Sequence, residues 1–180
     1  MSTGIVIYRS KYGSAKKYAH WIAEKTGFCC SETSNVKIEA VTPYDTVIFC
    51  GGIYASGISG LSFLRKHYPK LRGKKLAVFC VGASPYDPDA LEEIKNRNLK
   101  NDLAGIPLFY GRGAWDEKAM SFKDRTLCRL LQKAVAKTDP SAQEPWMKAL
   151  LCATGQKCDW TEEKYLEGLM RYVLFNESNL

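Results

Sequence analysis

Histidine is scarce, with two in 180 residues, and neither His20 nor His67 has an evident partner for a nucleophile–base pair. No catalytic acid, base or nucleophile stands out. The seven cysteines include no CxxC and no Cys/His ligand spacing, since Cys29 and Cys30 are adjacent and Cys152 and Cys158 are six apart. A metal centre is therefore not expected. An odd cysteine count, with Cys50 and Cys80 inside apolar runs, suits reduced thiols in a cytoplasmic protein better than a disulfide framework. No apolar run approaches the roughly 18–20 residues of a membrane span, and no charged leader precedes a long apolar run, so neither a span nor a secretory signal is expected. Acidic residues are outnumbered 19 to 26 by basic ones, giving a net charge of +7. Part of that excess is local: Arg65, Lys66, Lys70, Arg72, Lys74 and Lys75 follow one another without an acid. The run reads either as a solvated face or as a patch for an anionic partner. No helix-turn-helix, zinc or strand-binding aromatic pattern accompanies it, so nucleic acid is not expected.

With 46% hydrophobic and 25% charged residues, the chain has the material for a proper core, and its length suits one domain over 1–180. It is organised around Gly4–Ala19. Residues 4–8 form a β-branched and aromatic run suited to a strand buried on both faces. From Ala15 the period changes, and Ala15, Tyr18, Ala19, Ile22 and Ala23 share one helical face. The turn between them is small and hydroxylated. A strand, a tight turn and a helix N-terminus offer free N–H groups and a positive dipole end to an anion, so a phosphate-bearing ligand is indicated. An ordinary βα connection would look similar.

The rest of the chain alternates. Helix one ends near Gly27, a C′ glycine. Phe28–Cys30 reads as a second strand, and Ser31–Thr42 as irregular. Val47–Cys50 is a buried strand closed by Gly51-Gly52. Ser59 is placed to cap a helix carrying Leu61, Leu64 and Tyr68 that ends before Pro69. Leu76–Val81 is the next strand, and Asp87-Pro88 starts a helix through about Leu99. Ile106–Tyr110 is a fifth strand. This order points to a parallel sheet with helices on both faces. Residues 111–159 break the alternation as a long insertion. Within it, Phe122–Lys137 is amphipathic: Leu127, Leu130, Leu131 and Ala134 share a face suited to packing on the sheet. With Lys123, Arg125, Arg129, Lys133 and Lys137 on or beside its polar side, it could instead lie against a membrane surface. A last helix, about Glu162–Phe175, carries Tyr165, Leu169, Tyr172 and Val173 on one face, with Thr161 placed to cap it.

In an open parallel sheet the ligand sits beyond the carboxyl ends of the strands. Three loops leave the strands there. The first, Ser10, Lys11, Tyr12, Gly13, Ser14 and Ala15, suits a phosphate. The second contributes Gly52, Ile53, Tyr54, Ala55 and Gly57, and the third Gly82, Ala83, Ser84 and Tyr86. Small residues let backbone amides approach a flat ring, and a tyrosine can stack on it. Either tyrosine can equally pack its own loop. Together these loops fit a mononucleotide, a flavin best of all.

At these residues the chain resembles the flavodoxin-like FMN-binding family. Ser10-Lys11-Tyr12-Gly13-Ser14-Ala15 stands where that family has its Thr/Ser-rich phosphate loop, and Tyr44–Gly52 resembles its third strand and second flavin loop. More narrowly, Gly111–Asp159 and the Asp159-Trp160-Thr161-Glu162-Glu163 entry to the last helix are similar to the branch that includes menaquinone-dependent protoporphyrinogen oxidase. The resemblance implies an α/β/α sandwich with a five-stranded parallel sheet of order 2-1-3-4-5, FMN as cofactor, and flavin redox chemistry. It implies either an oxidoreductase passing electrons from a reduced substrate such as protoporphyrinogen to a quinone, with possible peripheral membrane contact, or a carrier docking to a redox partner protein. Typical flavodoxins are acidic and this chain is basic, so a carrier would need acidic partners. One departure stands out. The family usually ends the phosphate loop with a threonine, and here the residue is Ala15. Loss of one neutral hydrogen bond costs about 0.5–1.5 kcal/mol, so FMN is retained as the expected ligand, while a domain that has lost FMN is the third alternative.

Overall fold

The computed structural model describes residues 3–175. Its central sheet is built from β1 (Gly4–Arg9), β2 (Cys29–Glu32), β3 (Thr46–Tyr54), β4 (Gly57–Ile58), β5 (Lys75–Gly82) and β6 (Leu108–Arg112). Five of these are parallel in the order β2-β1-β3-β5-β6, and β4 pairs antiparallel with the end of β3. The expected 2-1-3-4-5 order is thus present, with one short hairpin strand added.

The apolar runs are continuous because both faces of the sheet are covered. Successive side chains alternate faces: Ile5, Ile7, Val47 and Phe49 enter one core, Val6, Tyr8, Ile48 and Cys50 the other. The second core is closed by α1 (Ser14–Thr26), whose buried residues Ala15, Tyr18, Ala19 and Ile22 form the face expected. The first is closed by α2 (Ile38–Val41), α3 (Leu61–Leu71) and α4 (Pro88–Asn98). Asp87 caps α4 by accepting from the N–H groups of Asp89 and Ala90, both at 3.0 Å.

The insertion begins as β7 (Ala114–Asp116), continues through α5 (Phe122–Val135) and α6 (Pro145–Cys152), and returns as β8 (Lys157–Asp159). β7 and β8 pair antiparallel, so it leaves and rejoins the body at one base. A 3-10 turn over 163–166 and α7 (Glu167–Leu174) then complete the second core through Leu166 and Leu169.

Four local expectations are corrected. Helix α3 runs through Pro69 to Leu71, because near a helix end the missing N–H costs one bond. Ser59 does not cap it: the Ser59 N–H is committed to Gly52 O at 2.8 Å, and Gly60 starts the helix at φ 79°. Thr161 does not cap the last helix either, since its hydroxyl donates to Asp159 at 2.6 Å. Ser31–Thr42 holds the end of β2 and all of α2.

The largest correction concerns α5. Leu127, Leu130 and Leu131 are 57%, 61% and 46% exposed, while Gln132 and Val135 are buried. The edge carrying Arg125, Gln132 and Val135 turns inward because its polar groups have partners there, while Lys123, Arg129 and Lys133 stay exposed. Gln132 Nε2 donates to the buried Glu117 carboxylate at 2.7 Å, and Arg125 donates to the carbonyls of Glu117, Lys118 and Met120. The leucine stripe does not pack on the sheet.

Candidate functional site

The first loop joins β1 to α1 at the carboxyl end of the sheet. Gly13 takes a left-handed conformation at φ 96°, and its N–H donates to Ser10 Oγ at 3.0 Å. No side chain caps α1, and its first turn holds no acid. Its leading N–H groups and dipole are therefore available to an anion. Ala15 is 3% exposed and packed in the core, so this position presents no hydroxyl to the loop. Ser14 Oγ accepts from the Ala114 N–H at 3.0 Å, fastening the loop to β7.

The insertion reaches the same loop from outside. Asp124, in the first turn of α5, accepts hydrogen bonds from both Lys11 Nζ and the Tyr12 hydroxyl, and the Ser121 N–H donates to that hydroxyl at 3.2 Å. Lys11 first and Tyr12 next hold the Asp124 carboxyl below its usual range, and Asp124 in turn raises Lys11. Lys17 is also engaged, with Asp159 Oδ2 at 3.0 Å and Thr161 Oγ1 at 2.7 Å.

The second loop is a tight hairpin. Ala55 and Ser56 both have positive φ, 47° and 64°, between the paired ends of β3 and β4. Such a turn usually carries Asn or Gly. Asn98, buried at the end of α4, supports it by donating to Ser56 O at 2.8 Å and accepting from the Ile58 N–H at 3.0 Å. The Tyr54 ring lies over Gly52, where an added Cβ would come within 2.9 Å of it. Its centroid is 6.2 Å from that of Tyr12, and burial, then the neighbouring Tyr12, raises its phenol.

The third loop is held from below by β6. The Tyr110 hydroxyl donates to Ser84 O, Arg112 Nε to Ala83 O at 2.9 Å, and the Gly113 N–H to Gly82 O at 2.7 Å. Tyr86 is 57% exposed, with its ring 6.2 Å from Tyr110.

A cleft of about 650 Å³ opens between the second and third loops, α4 and the insertion. Of the residues expected to bind the cofactor, Ile53, Ala55, Gly82, Ala83 and Ser84 line this cleft; Gly52, Tyr54, Gly57, Tyr86 and the whole first loop do not. Of the first loop, Lys11 and Tyr12 are brought instead against α5 and Ser14 against β7. Sequence reading missed the aromatic wall of Tyr110, Trp115, Trp146 and Trp160 and the acidic residues Asp87, Asp89, Glu93 and Glu144. The two tryptophans flanking the β7–β8 ribbon were the available signal. No group of described residues could hold a metal ion, and no described helix is long and apolar enough to cross a membrane.

A family model described as a flavodoxin domain matches residues 5–142. No curated protein matches the chain. Among solved structures, a flavodoxin, WrbA-like protein from Agrobacterium tumefaciens is 21% identical with a TM-score of 0.46, over 72% of this chain and 92% of that one. The Trp repressor binding protein from Bacillus subtilis is 17% identical with a TM-score of 0.45, over 62% and 84%. A Fusobacterium nucleatum flavodoxin mutant bound to flavin mononucleotide is 14% identical with a TM-score of 0.36, over 60% and 68%. The family match spans most of the chain and includes β1, the first loop and every strand of the parallel sheet. The chain belongs to the flavodoxin domain family.

Proposed function

We propose that this protein binds FMN and serves as an FMN-dependent oxidoreductase, with the phosphate at the first loop and the ring system between the second and third. The observation that carries this reading is the start of α1, uncapped, free of acid and opened by left-handed Gly13, within the stretch matched by the flavodoxin family. Ser14 and Ala15 would contribute backbone N–H groups and Ser10 its hydroxyl, whose oxygen also accepts from the Gly13 N–H. Ser14 is partly committed to β7, and Ala15 adds nothing beyond its backbone. Ile53, Ala55, Gly82, Ala83 and Ser84 would border the ring. When bound, FMN supplies one- and two-electron redox chemistry; the residues here bind, orient and limit access.

The cleft favours an enzyme over a carrier. A carrier needs only an exposed ring edge, whereas about 650 Å³ walled by insertion side chains falls within the roughly 300–1,000 Å³ of small-molecule sites. A quinone acceptor fits this reading. The exposed stripe Leu127, Leu130 and Leu131, flanked by Lys123 and Lys133 on the same helix and Lys137 just beyond it, supports peripheral contact with an anionic membrane where a quinone would be met. Protoporphyrinogen as donor is supported by the insertion and by Asp159–Glu163; the charge of the cleft weighs against it.

Titration of FMN fluorescence tests the core of the proposal. Saturable quenching at one site per chain, with an absorbance band near 450 nm, is expected. An unquenched signal would sink the flavin reading.

A further inference from the structure

Resting on the flavin reading of the same site, we propose that the part of the cleft between α4 and the insertion recognises a planar aromatic molecule without negative charge, and prefers a cationic ring. The chain carries a net charge of +7, yet among the described residues the charged side chains lining this cleft are Asp87, Asp89, Glu93 and Glu144, with no lysine or arginine. The basic surplus is segregated elsewhere. Arg112, the cation on β6, stacks its guanidinium 3.9 Å from the Trp160 ring centroid and donates Nε to Ala83 O, so it backs the wall without lining the opening.

The carboxylates are not an isolated cluster. Asp87 is fixed by the two α4 amides it caps, and Glu144 accepts from Trp146 Nε1 at 2.8 Å. Asp89 and Glu93 are four residues apart on one face of α4, and neither joins an ion pair among the described residues, although the adjacent Glu92 meets Lys95 at 3.9 Å. Aromatic residues Tyr110, Trp115, Trp146 and Trp160 supply the walls. Ring faces and carboxylates together attract an organic cation. A tetrapyrrole bearing two carboxylates would meet four charges of its own sign.

The test compares methylene blue, a planar cation, with resorufin, a planar anion of similar size. Each is equilibrated by dialysis against the FMN-loaded full chain at low ionic strength. Methylene blue should bind about tenfold tighter or more, as several unit charges at the mouth of a cleft imply, and the ratio should shrink in high salt. The double variant Asp89→Asn/Glu93→Gln should bring the ratio to about threefold or less by the same reasoning. Equal affinities, or a ratio unchanged in the double variant, overturn the proposal. A separate FMN titration tells the two readings apart. If FMN does not bind, the flavin reading fails, and the dye ratio measured on the flavin-free chain decides the charge preference by itself.

Discussion

Gly13 is the sharpest place to perturb the phosphate loop. It sits at φ 96° and ψ −25°, and an added Cβ would meet nothing within 4 Å. The penalty of Gly13→Val is therefore in the backbone and not in crowding. Holding a non-glycine residue left-handed costs about 1–2 kcal/mol, with β-branched residues at the upper end. The loop can escape by rotating residue 13 into an ordinary region. That breaks the 3.0 Å bond from the Gly13 N–H to Ser10 Oγ, worth about 0.5–1.5 kcal/mol. Whichever route is taken, stability falls by about 0.5–2 kcal/mol, or roughly 1–8 °C in Tm for a chain of this length.

The effect on FMN should be larger, because rotation turns the leading amides of α1 away from the phosphate. Hydrogen bonds to a charged group are worth about 1.5–3 kcal/mol each, so losing one lowers affinity about tenfold or more. Gly27→Val is the matched control. Gly27 also lies left-handed, at φ 73°, at the other end of α1, with nothing within 4 Å of an added Cβ. It should reproduce the Tm loss and leave FMN affinity within about twofold, since a helix dipole acts only within its own last turn. Thermal unfolding of the flavin-free chains and fluorescence titration of FMN give the two readouts. If both variants weaken FMN equally, or neither does, the phosphate has been assigned to the wrong corner.

Four further outcomes follow from the same geometry. Glu117→Ala leaves the buried Gln132 amide and the Gly155 N–H without their acceptor, at about 1–3 kcal/mol for each unsatisfied group, so limited proteolysis should open residues 113–160 while the sheet stays protected from hydrogen exchange. The Gln132 hydrogen bond chiefly holds the Glu117 carboxyl below its usual range; its contribution is present above the unfolded value of about 4.3 and is lost as pH falls through the folded one, so the insertion should loosen in acid, and Glu117→Gln should flatten that dependence. Asn98→Ala strips the second loop of its bonds to Ser56 and Ile58 and should cost about 2 kcal/mol in a melting experiment, with the buried Ile58 N–H as the main penalty. Leu127→Asp/Leu130→Asp alters exposed positions and should shift stability by less than about 1 kcal/mol, yet abolish cosedimentation with anionic vesicles; undiminished cosedimentation would remove the membrane reading.

What the sequence made legible was whatever local pattern decides. The run Val47–Cys50 and its counterparts are buried on both faces, so their hydrophobicity announces them, and Asp87-Pro88 marks the start of α4 through chemistry confined to four residues. The first loop was legible for the same reason: strand, small turn and helix face are contiguous. The rest depends on partners distant in sequence. The leucine pattern of α5 implied an inward stripe, but Gln132 meets a carboxylate fifteen residues upstream, and that buried acceptor turns the Gln132–Val135 edge, not the leucines, toward the body. The hairpin at Ala55-Ser56 carries no Asn-Gly signal because Asn98, forty-two residues beyond Ser56, supplies the support. The acidic cleft was invisible because Glu144 joins Asp87, Asp89 and Glu93 only after the insertion has folded back across α4.

The insertion is wired into the site at both ends, and this bears on how any ligand is admitted. At the phosphate end Asp124 engages Lys11 and Tyr12, Ala114 engages Ser14, and Asp159 engages Lys17. At the ring end Trp115, Trp146 and Trp160 face the second and third loops across the cleft. Between them, Glu117 joins β7 to α5 and to the α6–β8 turn. A carboxylate beside the phosphate loop opposes a phosphate dianion directly, while its pull on Lys11 keeps the loop's nearest cation in place. On the FMN reading, a phosphate at the start of α1 would compete with Asp124, in the first turn of α5, for Lys11. Through Asp124 α5 touches the first loop and through Leu131 it forms part of the cleft wall, so one helix borders both corners of the candidate site.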